Sequence, residues 1–116
     1  MIETDHRIPV RFGPAAAAGP EKALLIAGDA PMAESRAAVV ARFAPEPRPF
    51  HAAGCACCAP RGAAADALGR LFLARARGGT WFRDVLAVVQ DAAGEAAVTA
   101  AVSADAVTAA RFRIQP

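Results

Sequence analysis

The sequence predicts an α/β domain: a small, mostly parallel sheet of three to four strands flanked by helices. Three observations carry that expectation. A chain of 116 residues holds one domain. Short apolar runs with strand composition alternate with alanine-rich, helix-like stretches, and glycine and proline punctuate the changes. Alternating βα units of this length imply parallel strands joined by crossover helices. We therefore expect a single domain over residues 1–116, with residues 1–21 as an N-terminal arm or edge strand and 22–116 as the core. The interior has to be built from little. Of 64 apolar residues, 33 are alanine, which leaves 31 larger or sulfur-bearing side chains.

The elements follow in order. Ile8-Pro-Val-Arg-Phe12 is short and strand-like, and a loop punctuated by Gly13-Pro14 and Gly19-Pro20 follows it. Lys22-Ala-Leu-Leu-Ile-Ala27 is a continuous apolar run, as expected of a strand buried on both faces, and it ends at Gly28-Asp-Ala-Pro31. Ser35 precedes the alanine-containing, proline-free run 36–43 and would cap a helix there, stopped by the prolines of 44–49. Phe50-His-Ala-Ala-Gly54 would be a weak second strand. Pro60 would open a helix over 61–77, in which Leu68, Leu71 and Phe72 fall on one stripe and Gly78-Gly79 stops the chain. Trp81 to Val89 has the β-branched and aromatic enrichment of the best strand. The alanine-rich remainder, 92–113, reads as helix with a break at Ser103.

Charge excludes some functions. Thirteen basic and eleven acidic residues give a net charge of +2 and form no basic block, so no nucleic-acid partner is expected. No apolar run approaches the roughly 20 residues of a membrane helix, and the N-terminus is acidic where a secretory signal would be basic. A cytoplasmic protein without a membrane partner is the expectation.

The most informative feature is a set of three cysteines within four positions, Cys55, Cys57 and Cys58. An odd number so closely packed suits a metal or redox site better than a disulfide framework. Thiolates are soft ligands that select Zn²⁺, Cu(I) and similar ions. His51, four residues earlier, would complete a tetrahedral Cys₃His set. The plainer alternative is three buried structural thiols with His51 at a strand end.

At Gly54-Cys-Ala-Cys-Cys58 the chain resembles the CobW family of P-loop GTPase metallochaperones, which carry a Gly-Cys-x-Cys-Cys segment after the first βα unit. The similarity extends over roughly residues 22–114. Leu24-Leu-Ile-Ala-Gly28 and the following residues stand in the place of the first strand and phosphate loop, and Asp84-Val-Leu-Ala-Val-Val-Gln-Asp91 stands in that of the strand leading to the switch segment. The resemblance implies a fold like the N-terminal half of a P-loop GTPase domain, and metal binding at the cysteines.

The phosphate loop itself is degenerate. Gly28 and Ser35 keep the outer positions, but Ala33 and Glu34 replace the glycine and lysine. A carboxylate there repels a triphosphate where lysine would attract it. The switch acid, hydroxyls and glycine are likewise missing from Val88-Val-Gln-Asp91. No nucleotide cofactor and no catalysis are expected. Ser35 is more useful as a helix cap than as a magnesium ligand, and Asp29 and Glu34 are candidate oxygen donors to a thiol-held metal, because both loops should leave the same edge of the sheet.

These readings converge on a non-enzymatic metal-binding pseudo-GTPase, with zinc as the expected ion and cobalt or copper as alternatives, acting in metal storage, transfer or sensing. A homodimer is expected, because so few strands leave open edges. The competing expectation is a pseudo-GTPase module that docks on a full-length relative or another protein partner, with vestigial cysteines. A thiol redox enzyme based on the Cys55 to Cys58 spacing is a weaker third reading. His6 is expected in a disordered arm, and Trp81 and Phe82 are expected to divide between a partner contact and the core.

Overall fold

The computed structural model of the chain describes residues 5–28, 36–44 and 62–115. Five strands, β1 (Ile8–Phe12), β2 (Lys22–Ala27), β3 (Val39–Phe43), β4 (Asp84–Val88) and β5 (Phe112–Ile114), form one sheet in the order β3-β2-β4-β1-β5. Every pairing is parallel. Helices α1 (Ala63–Ala76), α2 (Ala92–Ala104) and α3 (Ala106–Arg111) provide the crossovers. The α/β architecture is therefore as the sequence indicates, with five strands rather than three to four.

The centre of the sheet is where the continuous apolar runs fall. Ala23 to Ala27 of β2 and all of β4 are buried on both faces, as central parallel strands must be. Val10, Ala23, Leu25, Val85 and Ala87 face the helices and pack with Leu68 and Leu71 of α1, Val98 of α2, Phe82 and Phe112. Leu24, Ile26, Leu86 and Val88 face the other way and cluster with Ala15, the first residue of a 3₁₀ turn at Ala15–Ala17, and with Ala18, which follows it. Each fully buried Leu, Ile or Phe contributes about 1.5–3 kcal/mol of transfer free energy. Ten buried Leu, Ile and Phe side chains among the described residues thus offset the poverty of the alanine background.

Four expectations are corrected. Ile8–Phe12 is not an arm or edge strand, because β1 lies between β4 and β5. Pro9 cannot donate to a ladder. Its pairing with β4 begins one residue later, at Val10↔Val85, so no ladder bond with β4 is forfeited. Residues 36–43 are not a helix. Val39, Ala41 and Phe43 turn inward while Val40 and Arg42 stay exposed, and this period-two alternation against β2 outweighs the helical propensity of the alanines. A cap for that helix at Ser35 accordingly has nothing to cap.

The third correction is the break in the last helical stretch, which falls at Asp105 and not at Ser103. The Asp105 carboxylate accepts from Thr108 N–H at 3.0 Å and from the Thr108 hydroxyl at 2.7 Å, whereas the Ser103 hydroxyl donates back to the Thr99 carbonyl at 2.8 Å. The fourth is the end of that stretch: Phe112–Ile114 leave the helix to pair with β1, burying Phe112 completely.

Other boundaries agree with the sequence. α1 buries Leu68 and Leu71 with Phe72 beside them, and it ends where Gly78 takes φ +81° and Gly79 N–H returns to the Ala74 carbonyl at 3.0 Å. α1 starts at Ala63, so the expected opening at Pro60, like the strand expected over 50–54, lies outside the described residues. Among the described residues no helix is long and apolar enough to cross a membrane.

Candidate functional site

In a parallel sheet the loops that follow the strands gather at the carboxyl edge, where open α/β folds place their ligands. Here β2 and β3 are neighbours and finish level, with Ala27 opposite Phe43. Gly28 adopts φ +62°, a left-handed conformation that a side chain would strain. Its N–H donates to the Phe43 carbonyl at 2.7 Å, and its carbonyl accepts from Arg42 Nη1 at 2.9 Å. Arg70 of α1 donates to the Arg42 carbonyl at 3.2 Å, tying the helix to the same corner. The chain after β2 therefore departs directly beside the chain after β3.

Of the residues compared with a phosphate loop in the sequence, Gly28 sits at the carboxyl end of β2, while Asp29, Ala33, Glu34 and Ser35 lie outside the described residues. His51, Cys55, Cys57 and Cys58 also lie outside them, in a segment that leaves from the end of β3 at Ala44 and rejoins at Gly62, the N-cap of α1. Among the described residues no group of three or more His, Cys, Asp or Glu side chains is placed to hold a metal ion.

The start of α2 completes the edge. Asp91 caps α2 by accepting from Gly94 N–H at 2.9 Å, and Glu95 occupies the first turn. Both carboxylates favour the positive end of the helix dipole, and both make the same helix end unattractive to a phosphate. Gly94 lets α2 close on the sheet: a Cβ there would lie 3.3 Å from the Cβ atoms of Ala27 and Val89.

The opposite, amino edge holds a second concentration of functional side chains. Phe82 is fully buried while Trp81 is 59% exposed, the division expected of the pair. Arg75 lies over both rings, its Cζ 5.1 Å from the Trp81 centroid and 5.4 Å from that of Phe82, and Arg111 lies 4.1 Å over Phe72. His6 is an exposed residue on the wall of this groove, which Arg7 also lines. The Asp5 carboxylate holds Arg7 through two side-chain bonds and approaches Arg113 Nε at 3.4 Å, and these contacts, led by the Arg7 hydrogen bonds, keep Asp5 well below the usual carboxylate range. No sequence signal marks this groove, because its residues come from stretches of chain that only the topology brings together.

No protein-family model, curated protein or solved structure matches the chain.

Proposed function

We propose that this chain is a non-enzymatic transition-metal-binding protein that takes zinc as cargo through Cys55, Cys57 and Cys58, with His51 as the fourth donor. The donor set fits that ion: three thiolates and an imidazole match the soft, four-coordinate preference of Zn²⁺, with Cu(I) and Co²⁺ as competitors. One structural observation supports placing the site at the carboxyl edge, the Gly28 N–H bond to the Phe43 carbonyl. It sets the root of the loop carrying Asp29 and Glu34 against the root of the cysteine segment. The lost phosphate-loop lysine and the strand where a helix was expected after Ser35 both argue for metal handling without nucleotide turnover.

Adding zinc to the reduced protein should give tight binding at one ion per chain, or one per dimer if two copies share it, with proton release as the thiols ionise. Binding should be lost in Cys55→Ser/Cys57→Ser/Cys58→Ser. Absence of tight stoichiometric binding by the reduced wild-type chain ends the proposal.

A second reading has one observation in its favour. β3 is an edge of the sheet with Val40 exposed, and an open edge can pair with a second copy or another protein. Partner binding that survives removal of all three thiols would favour this interaction module.

A further inference from the structure

The groove at the amino edge has an opening of about 510 Å³, within the range of small-molecule sites. His6, Arg7, Arg75 and Arg111 line it together with Phe72 and Trp81, and among the described residues no acidic residue does. Arg7 is committed to Asp5. Arg75 and Arg111 are not: each guanidinium carbon lies over an aromatic ring, and among the described residues neither guanidinium has a hydrogen-bond acceptor or carboxylate partner.

Both arginines stand in the last turn of a helix, where a cation offsets the dipole. That role does not consume them. The terminal carbonyls are already taken by Arg77, Gly78 and Gly79 N–H groups at the end of α1, and by Phe112 N–H and the Arg7 guanidinium at the end of α3. What remains is a pair of guanidinium forks without a counter-ion among the described residues, beside an indole that leaves 59% of its surface in solvent. Forks of this kind select oxyanions, and an exposed indole offers a flat surface for stacking.

We propose that this groove binds a small aromatic oxyanion, a planar ring bearing a phosphate or a carboxylate, with the oxyanion on Arg75 and Arg111 and the ring against Trp81. The site is separate from the cysteine segment, and its occupancy does not depend on metal.

Trp81 is the chain's only tryptophan, so its fluorescence reports on this groove alone. The metal-free full chain is titrated with phenyl phosphate and with benzoate, alongside inorganic phosphate and phenol, by fluorescence and calorimetry. Saturable binding of at least one aromatic anion with Kd below about 1 mM is expected, and the tighter of the two identifies the oxyanion. Inorganic phosphate and phenol should each bind at least about tenfold more weakly than that anion, and so should that anion to Arg75→Gln/Arg111→Gln. Should that variant fail to fold, Trp81→Ala, an exposed position, should weaken binding about fivefold by calorimetry. No saturable binding of either aromatic anion, inorganic phosphate or phenol binding as tightly as the preferred aromatic anion, or unchanged affinity in the folded variants overturns the proposal.

Discussion

Lys22 and Asp84 face each other as register partners at the first pair of β2 and β4, with the ammonium 2.9 Å from Asp84 Oδ2. Asp84 is buried and its other oxygen, Oδ1, has no hydrogen-bond partner, so the lysine is the main compensation for a carboxylate taken out of water. Removing one member leaves the other uncompensated, whereas replacing both by apolar groups removes the desolvation cost as well. Lys22→Met should therefore destabilise the fold by about 2 kcal/mol, less than a fully buried pair because the lysine is partly exposed, while Lys22→Met/Asp84→Leu should come within about 1 kcal/mol of wild type. Urea denaturation of the four proteins in a double-mutant cycle measures this. A double-variant loss equal to the sum of the two single-variant losses would show that the pair is not coupled.

Gly94→Ala opposes two effects of known sign. Alanine is favoured over glycine in a helix by up to about 1 kcal/mol, but overpacking costs about 1–3 kcal/mol. Here the obstructing atoms are the Cβ of Ala27 and the Cβ of Val89, both at 3.3 Å and both fixed to backbone, so neither can rotate aside. Packing should win, with a net loss of about 1 kcal/mol in urea denaturation. A stabilised variant would show that α2 can lift from the carboxyl edge at little cost.

Asp105 ends one helix and starts the next. Asp105→Ala removes the cap on Thr108 N–H and should cost about 1 kcal/mol. Because α3 is only six residues long and runs directly into β5, the loss should be read locally as well. Faster hydrogen exchange at Phe112, whose N–H bonds the Thr108 carbonyl, with Val85 to Ala87 unaffected, is the expected pattern.

Legibility in the sequence follows the strength of the local signal. β2 and β4 were readable because uninterrupted runs such as Ala23 to Ala27 suit a strand covered on both faces, and α1 because Leu68, Leu71 and the Gly78 stop agree on one helix. β3 was hidden by the alanine background: the inward Val39, Ala41 and Phe43 alternate with two residues only, too short a pattern to compete with helix propensity. β1 was misplaced because Ile8–Phe12 reads only as a short strand-like stretch before a loop, and its interior position depends on β4 and β5 arriving from far along the chain. Cys55, Cys57 and Cys58 offer donor types and spacing in the sequence, and their placement lies outside the described residues. The amino-edge groove was not legible there, since nothing local to His6, Arg75, Trp81 or Arg111 says that they meet.

Asp5 offers a pH test of the tie between the N-terminal approach and β5. Its carboxylate binds Arg7 and approaches Arg113, and its folded pKa lies below the usual value near 4 of an unfolded aspartate. A depressed folded pKa means that the stabilisation is fully present above the unfolded value and is lost as pH falls toward the folded one. Wild type should therefore exceed Asp5→Asn in stability at neutral pH, with the difference beginning to shrink below about pH 4 and still incomplete in its decline at the lower end of the ordinary carboxylate range. The group is exposed, so the difference should be small and should weaken in high salt. Denaturation midpoints at neutral pH, pH 4 and pH 2 for both proteins decide it; a difference that stays constant with pH would show that the carboxylate charge is not what holds Arg7 in place.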